Sequence, residues 1–356
     1  MPDGTALRVL FLVEGRTTPS SRLRVTAHLP ALRGEGFVAE IAEIPRAPIT
    51  RMRRFLGLGR YDVVVVQKKV LRGWELALAA RCAPRLVYDF DDAVTVGPHA
   101  ERPDPRRTAR FVAMLARCTA VIAGNDELAT YARGHPLVRI IPTGIDVETY
   151  RPKADQSREA EGGRPVVIGW IGTSGNLRYL DPLRPVFDEL RRVGKAVQLK
   201  VVADRAPERG SLPLHFERWT LKTEPTALQG FDIGVMPLDD TAWSRGKCGF
   251  KLLQYMAAGL PAVASPVGVN RSIIQDGENG LLADTPDEWS DALGRLIENS
   301  SLRSRLGRAA RRTVETRYSL ARCSDALVAV LREVCETRPV RALSARAADS
   351  KKALNV

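Results

Sequence analysis

Apolar residues along the chain form short continuous runs that alternate with stretches of helical spacing. The clearest run is residues 62–66, where four consecutive valines follow an aspartate. A β-branched run of this length predicts a strand buried on both faces, as in a parallel sheet. Further strands are predicted at residues 7–13, 37–44, 86–88, 120–123, 139–141, 166–171, 196–203, 231–236 and 262–264, with 280–283 as one more.

Helical patterns separate these strands. Helices are predicted at residues 23–32, 74–81, 107–117, 125–133, 182–193 and 248–258, and over most of 286–334. The alternation stops at the polar segment 150–163 and then starts again. Two successive runs of strand–helix alternation indicate an α/β protein with two doubly wound, Rossmann-like domains.

The breaks in the alternation set the predicted domain boundaries. The first domain covers residues 1–145, a linker 146–165, and the second domain 166–316. Residues 317–336 are predicted to be a C-terminal helix, for which a return to the first domain is one alternative, and 337–356 a basic mobile tail. Open parallel sheets bind ligands beyond the carboxyl ends of their strands. Two such domains facing across a cleft would suit the joining of two substrates.

Composition narrows the functional classes. The net charge of +13 favours anionic partners, but it is spread over both halves and aromatic residues make up only 6%. These features argue against a nucleic-acid-binding module. We find no secretory leader and no apolar run long enough to span a membrane. Five scattered cysteines and four histidines without ligand spacing predict a reduced, cytoplasmic protein with no metal.

Candidate chemistry is concentrated where the predicted helix 248–258 begins. Lys247 and Lys251 are four residues apart, so they would share one helical face if the helix began near Lys247. A helix N-terminus carrying lysines attracts a diphosphate. Arg178, after the turn at 172–176, is a third candidate cation. The alternative for all three is an ordinary solvated surface side chain.

Residues 254–265 resemble the donor-site segment of the retaining family-four glycosyltransferases, which have the GT-B fold. Their sequence is Gln-Tyr-Met-Ala-Ala-Gly-Leu-Pro-Ala-Val-Ala-Ser. Residues 141–146 resemble the turn that closes the N-terminal domain of that family, and 276–282 resemble the segment after its donor site. Residues 19–24 resemble a loop of its polysaccharide-related members.

The resemblance covers roughly residues 7–330 and implies transfer of a sugar from a nucleotide diphosphate sugar. It also implies retention of configuration and no metal or cofactor. The two glutamates of the family motif fall on Gly246 and Gln254, so both are missing. We expect Gln254 to keep the ribose contact through its one acceptor oxygen. The candidate donor-binding residues are Gly172, Thr173, Arg178, Gly246, Lys247, Lys251, Leu252 and Gln254.

On the acceptor side, Asp91 and Asp92 follow a predicted strand, so their carboxylates should lie at the sheet edge. Asp91 is a candidate catalytic residue with Lys247 and Lys251, because a carboxylate there can bind or deprotonate an acceptor. A Mg²⁺ site and helix capping are the alternatives. The candidate acceptor or phosphate ligands are Ser21, Arg22, Asp92 and His99.

Three questions stay open from the sequence. The acceptor can be a glycan, a lipid-linked glycan or a small molecule. A non-catalytic nucleotide-sugar-binding relative and a sugar-nucleotide epimerase remain alternative functions, the first because both motif glutamates are absent. Residues 46–60 carry five arginines around apolar positions. They predict either a peripheral helix on the anionic inner face of the membrane or a surface helix that covers the first sheet.

Overall fold

The computed structural model describes residues 6–97, 100–152, 164–207 and 214–337. Within these residues the strands form two six-stranded, wholly parallel sheets. The first sheet contains β1 (Leu7–Val13), β2 (Phe37–Glu43), β3 (Val63–Gln67), β4 (Leu86–Phe90), β5 (Ala120–Ala123) and β6 (Val138–Ile140). The second contains β7 (Val166–Gly172), β8 (Val197–Ala203), β9 (His215–Arg218), β10 (Ile233–Met236), β11 (Ala262–Ala264) and β12 (Leu281–Leu282).

Helices connect the strands in both halves. Those of the first half are α1 (Pro19–Arg24), α2 (Leu29–Gly34), α3 (Pro48–Leu56), α4 (Gly73–Cys82), α5 (Pro105–Leu115) and α6 (Asp126–Tyr131). Those of the second half are α7 (Arg184–Arg192), α8 (Glu224–Leu228), α9 (Ala242–Arg245), α10 (Phe250–Ala257), α11 (Asn270–Ile273), α12 (Pro286–Glu298), α13 (Ser300–Arg317) and α14 (Leu320–Glu336). A 3-10 helix, Ser174–Leu183, follows β7.

The chain divides into two compact units. The first unit contains the residues up to Gly144, the segment Thr241–Cys248, and the chain from Leu320 onward, which includes α14. The second unit contains Ile145–Asp240 and Gly249–Ser319. The sequence predicted an uninterrupted second domain over 166–316, whereas the contacts assign Thr241–Cys248 to the first unit. In that segment Trp243 and Cys248 pack against the first unit's core, which periodicity does not reveal.

Each sheet is buried on both faces. In β1, Leu10 and Leu12 belong to the apolar cluster on one face, while Val9 and Phe11 belong to the cluster on the other. The second cluster includes Leu331 of α14, so the C-terminal helix covers part of the first sheet. The valine run of β3 is completely buried, as its pattern predicts.

Strand order identifies where each sheet should bind ligands. The first sheet has the order β2-β1-β3-β4-β5-β6, and the second has β12-β11-β10-β7-β8-β9. In the first sheet, the side on which successive strands are added reverses between β1 and β3. In the second sheet it reverses between β7 and β10. Ligands of open α/β sheets bind beyond the carboxyl ends of the strands at these points.

Several predicted elements differ from the structure. Strand β9 was missed, and the helix predicted at 23–32 is instead α1, a 3-10 turn and α2. The helix predicted at 248–258 begins at Phe250, because Gly249 adopts a left-handed φ of +66° ahead of it. Most of the predicted linker and tail, residues 153–163 and 338–356, lies outside the described residues.

Candidate functional site

The carboxyl end of β7 meets the first turn of α10 in the second unit. Gly172 ends β7, and a Cβ atom at this position would lie 2.5 Å from Cε of Lys251 and 2.8 Å from Cη2 of Trp170. The ammonium of Lys251 lies 4.6 Å from the centroid of the Trp170 ring, a geometry that favours cation–π attraction. A glycine is therefore needed for the lysine stem to pass this strand end.

The segment after β7 brings further predicted residues to the same edge. Thr173 precedes the 3-10 helix, and its hydroxyl accepts a 2.8 Å hydrogen bond from Nδ2 of Asn176. Arg178 lies 3.6 Å from the carboxylate of Asp239 and stacks 4.5 Å from the Tyr179 ring. Arg178 is thus a half-exposed cation with a carboxylate partner, which weakens it as an independent anion ligand.

Gln254 lies in α10 and is 3% exposed. Its Nε2 contacts the Tyr150 hydroxyl at 3.4 Å. That hydroxyl in turn hydrogen-bonds to Glu224, whose other oxygen accepts a 2.6 Å bond from the indole N–H of Trp219. Leu252, also predicted as a donor ligand, is fully buried in the second unit's core, so its side chain serves packing.

The predicted pairing of Lys247 with Lys251 on one helical face is wrong. Lys247 precedes α10 and belongs to the first unit, where its ammonium lies 5.4 Å from the Trp243 ring. Its carbonyl accepts a 3.1 Å hydrogen bond from the side chain of Asn125. The left-handed Gly249 separates the two lysines, because it stops the helix from extending back to Lys247.

Gly246, at the first missing glutamate position, is enclosed in the first unit. A Cβ atom there would lie 2.6 Å from Cβ and 2.9 Å from the backbone nitrogen of Ala93. Real Cβ atoms do not approach other atoms this closely, and the second neighbour is backbone. The absence of a glutamate at this position is therefore consistent with the local packing.

In the first unit, Asp91 and Asp92 meet residues from the ends of other strands. Ser20 donates a 2.6 Å hydrogen bond to Oδ2 of Asp91, and Lys68 forms an ion pair with Asp92. Oδ1 of Asp91 is buried, lies 4.0 Å from the Lys68 ammonium, and has no hydrogen-bond partner within the described residues. Oδ1 of Asp91 therefore has a cation nearby but no hydrogen-bond donor within the described residues.

Lys68 was not singled out from the sequence. It follows β3 and has a φ of +63°, a conformation that L residues rarely adopt. Its backbone N–H donates to the carbonyl of Asp89 at 2.6 Å, and its carbonyl accepts from the Tyr88 hydroxyl at 2.8 Å. These bonds hold a strained residue beside the carboxylates. The rule that sites form at strand ends would have pointed to it.

A buried ion pair lies beneath this cluster. Arg24 pairs with Asp89 and donates a 2.6 Å bond to the carbonyl of Ile141. With His28 they line a cavity of about 10 Å³, near the lower limit for holding one water. His28 is 2% exposed, and its Nδ1 lies 2.8 Å from the hydroxyl of Ser324 in α14.

The remaining predicted acceptor ligands lie near this pair or outside the described part. Residues 19–24, predicted as a loop, form the helix α1. Ser21 is buried and bonded to Gln67 at 3.3 Å, so it supports the strand end rather than facing a ligand. Arg22 is half-buried in the last turn of α1. His99 lies outside the described residues.

Burial and neighbouring charges shift the pKa values of this cluster. Burial raises the pKa of Asp92, and Asp91 raises it further, while Lys68 and Lys247 act in the opposite direction. Burial alone would lower the pKa of Lys68, but Asp91 and Asp92 raise it above the usual value. Burial, assisted by the charge of Arg24, lowers the pKa of His28 to about 4. Lys68 is thus stabilised as a cation by the two carboxylates, whereas burial disfavours the charged form of Asp92.

Within the described ranges, no group of three or more His, Cys, Asp or Glu side chains is arranged to hold a metal ion. The sequence alternative of a Mg²⁺ site at the aspartates therefore gains no support from their geometry. In the same part of the chain, every helix is too short or too polar to cross a bilayer.

Residues 166–299 match the family model described as glycosyl transferases group 1. A curated relative, D-inositol 3-phosphate glycosyltransferase of Nocardioides sp., is 42% identical over 290 residues, which cover 71% of this chain and 63% of that protein. The chain spans about three fifths of the length of the first curated relatives that it matches.

Solved structures of similar fold cover nearly the whole chain. Sucrose-phosphate synthase from Thermosynechococcus elongatus has a TM-score of 0.75 at 15% identity, over 92% of this chain and 99% of that one. Anabaena HepE in complex with UDP-glucose has a TM-score of 0.68 at 14% identity, over 92% and 100%. These neighbours and the two parallel sheets confirm the predicted GT-B fold.

Proposed function

We propose that this chain, whose residues 166–299 match the family model of the glycosyl transferases group 1, transfers a sugar from a nucleotide diphosphate sugar to a hydroxyl-bearing acceptor, with retention of configuration. The observation that carries the proposal is the placement of Lys251. Its stem crosses Gly172 at the carboxyl end of β7, beside the point where the second sheet reverses its strand order. This is where a doubly wound sheet binds a nucleotide.

In this proposal Lys251 stabilises the charge that develops on the departing diphosphate. Cleavage of the bond between sugar and diphosphate places negative charge on the leaving oxygen, and a fixed cation nearby lowers the barrier. The Trp170 ring and the Gly172 backbone hold the lysine stem, so little reorganisation is needed during the reaction. Lys247, on the first unit, is at most a separate contributor.

The acceptor is proposed to bind at the first unit through Asp91. Its Oδ2 is already held by Ser20, whereas Oδ1 is buried and without a hydrogen-bond partner in the described residues. An acceptor hydroxyl would satisfy that oxygen, and the carboxylate would draw off its proton as the new bond forms. Because Lys68 is paired with Asp92, this cluster suits a neutral hydroxyl better than an anionic group.

The test of the proposal is a thermal-shift panel followed by donor turnover. A ligand that binds only the folded protein raises its melting midpoint by mass action. UDP is the first candidate because the similar HepE structure holds UDP-glucose. We expect one of UDP, GDP, ADP or dTDP, and its sugar nucleotide, to raise the melting midpoint by several degrees. We also expect the protein to hydrolyse that sugar nucleotide slowly and to release the nucleoside diphosphate. Failure of every nucleotide to shift the midpoint would contradict the proposal.

One observation favours a second candidate, a nucleotide-sugar-binding protein without transferase activity. Gly246 replaces the first motif glutamate and its packing on Ala93 leaves no room for a side chain. The same panel separates the two functions. Binding of a sugar nucleotide, with neither hydrolysis nor transfer to any glycan or lipid acceptor offered, would favour the binding protein.

A peripheral membrane contact is proposed for the helix α3. Phe55 is buried against the first unit's core, so part of the helix covers the sheet. Ile49, Met52 and Leu56 are 64%, 45% and 57% exposed and lie along one stripe of the helix. Exposed arginines surround the stripe, which suits the interface of an anionic bilayer. The exposed arginines of residues 46–60 are Arg46, Arg53 and Arg60.

Co-sedimentation with vesicles containing phosphatidylglycerol tests this contact. We expect binding at low salt that weakens in 0.5 M salt and is reduced by the double change Met52→Ser and Leu56→Ser, which leaves the arginines in place. Vesicles of phosphatidylcholine alone serve as the control. Absence of binding to anionic vesicles at low salt would reject the contact and leave α3 as a covering helix only.

A further inference from the structure

The hydrogen bonds around Gln254 fix which end of its amide is available to a ligand. The Tyr150 hydroxyl donates its single proton to Oε1 of Glu224. The oxygen of that hydroxyl can then only accept a further hydrogen bond. The group of Gln254 that faces Tyr150, at 3.4 Å, must therefore be the NH₂ and not the carbonyl.

Glu224 can hold the Tyr150 hydroxyl as a donor because a second hydrogen bond fixes its carboxylate. Its side chain belongs to the first turn of α8 and is 8% exposed. Oε2 accepts a 2.6 Å bond from the Trp219 indole, which is a donor and cannot accept. Each carboxylate oxygen therefore accepts a hydrogen bond. The Tyr150 hydroxyl keeps donating to Glu224, because the carboxylate has no proton to donate in return.

Hydrogen bonds from Arg311 also hold the backbone segments that carry Tyr150 and Gln254. One guanidinium nitrogen of Arg311 donates 2.6 Å bonds to the carbonyls of Tyr150 and Ala257. Ala257 ends α10, the helix that carries Gln254. The tyrosine and the glutamine therefore sit on backbone segments that share one anchor within the second unit.

We infer that Tyr150 and Glu224 are positioning residues which direct the Gln254 carbonyl oxygen toward the ribose hydroxyls of the nucleotide. This inference rests on the proposed function, in which the second unit binds a nucleotide diphosphate sugar. Within the described part of the chain, the contact with Tyr150 is the only hydrogen bond of the Gln254 side chain. The carbonyl oxygen is thus the remaining acceptor. The family motif places a carboxylate at position 254, whereas in this chain the carboxylate of Glu224 is linked to position 254 through two hydrogen bonds.

Restoring the glutamate of the family motif at position 254 should weaken nucleotide binding. In Gln254→Glu, two carboxylates would compete for the one proton of Tyr150 and repel each other. Nucleotide binding should then become weaker, by about tenfold, and not tighter. In Glu224→Gln the introduced amide would donate to Tyr150, whose proton would turn toward Gln254 and reverse that amide. Binding should weaken by about fivefold.

The double variant Glu224→Gln/Gln254→Glu should recover most of the affinity. It again places one amide and one carboxylate around the phenol, so the introduced carboxylate accepts from Tyr150 and presents its second oxygen to the ribose. Calorimetric titration of the four proteins with UDP, and with ADP and GDP in parallel, measures this double-mutant cycle. Titration with the 2′,3′-dideoxy nucleotide is the matched control, and there the differences should disappear.

Two results would overturn the inference. One is a Gln254→Glu protein that binds UDP as tightly as the wild type or tighter. The other is a coupling energy between the two substitutions that is equally large with the dideoxy nucleotide, which would assign the effect to folding. The melting midpoints of the four ligand-free proteins test the hydrogen-bond order separately, and Gln254→Glu should have the lowest midpoint at pH 8. If the wild type binds none of UDP, ADP, GDP and dTDP, the proposed function fails, and those midpoints alone decide the bond order.

Discussion

The carboxyl edges of the two sheets carry different kinds of side chain. In the first unit the edge is a set of paired charges, with Arg24 on Asp89 and Lys68 on Asp92. In the second unit the corresponding edge consists of Gly172 and a lysine laid over a tryptophan. The first edge pairs its cations with buried or half-buried aspartates, whereas the second places the Lys251 ammonium over the Trp170 ring, with its stem beside Gly172. This difference suits a neutral hydroxyl acceptor on one sheet and an anionic diphosphate on the other.

The largest effect should follow from breaking the buried ion pair of the first edge. Arg24→Met would leave Asp89 buried and uncompensated, and removal of one partner of such a pair costs about 3–5 kcal/mol. Chemical denaturation measures this loss in the free energy of unfolding. Arg139→Met is the matched control, because Arg139 and Glu333 form a pair at 44% and 40% exposure that should contribute below about 1 kcal/mol. Equal losses in both variants would contradict the account.

The neighbouring histidine gives the first unit a pH dependence. The pKa of His28 is lowered to about 4 in the folded protein, below the usual 6.5. Between these values the unfolded chain binds a proton that the folded protein does not, so the free energy of unfolding falls as the pH drops from 6.5 to 4. The full loss is about 3 kcal/mol. Denaturation at pH 7.5 and pH 5 should show part of it.

His28→Asn is the control for this dependence, because the amide can still bond to Ser324 but does not titrate. Its free energy of unfolding should change less between pH 7.5 and pH 5 than that of the wild type. An unchanged slope in the variant would mean that another group titrates in this range.

Asp91→Asn tests whether Oδ1 of Asp91, which has no hydrogen-bond donor in the described residues, serves the acceptor. The amide keeps the shape and the contact with Ser20 but loses the charge. We expect transfer to fall by about 100-fold, as is typical when a general base is removed. The affinity for the nucleotide should stay within about twofold, since the residue lies on the first unit. A parallel loss of nucleotide affinity would contradict the assignment.

Gly172→Ala tests the second edge with the smallest change. The added methyl would lie 2.5 Å from Cε of Lys251, so the lysine must move away from Trp170. We expect turnover to fall by about tenfold, since misplacement of a stabilising charge weakens it. Gly175→Ala is the control, because a Cβ atom there meets nothing within 4 Å. A Gly172→Ala enzyme with full turnover would show that the position of the lysine is not critical.

Much of the architecture could be predicted from local patterns. The valines of β3 and the alternation of strands and helices define both sheets, because burial on two faces leaves a continuous apolar run. The edge strand β9 was missed because its sequence, His-Phe-Glu-Arg, is mostly polar and its residues are exposed or half-buried. The start of α10 was misplaced because the left-handed conformation of Gly249 depends on its surroundings.

The site was less predictable than the fold. The candidate residues Lys251, Gly172 and Asp91 could be singled out because they lie at the ends of strands or at the start of a helix. Tyr150 and Glu224 could not, since they reach Gln254 only through tertiary contacts made far away in sequence. Lys247 was paired with Lys251 on spacing alone, and spacing cannot show that the two residues belong to different units.

The most direct test of the central claim is the turnover of Lys251→Ala on the sugar nucleotide that the panel identifies. We expect kcat to fall by about 100-fold or more, because the residue is proposed to stabilise charge that appears only as the diphosphate leaves. The exposed Lys222 provides the control, and Lys222→Ala should turn over at the wild-type rate. A folded Lys251→Ala protein with kcat within about twofold of the wild type would contradict the claim.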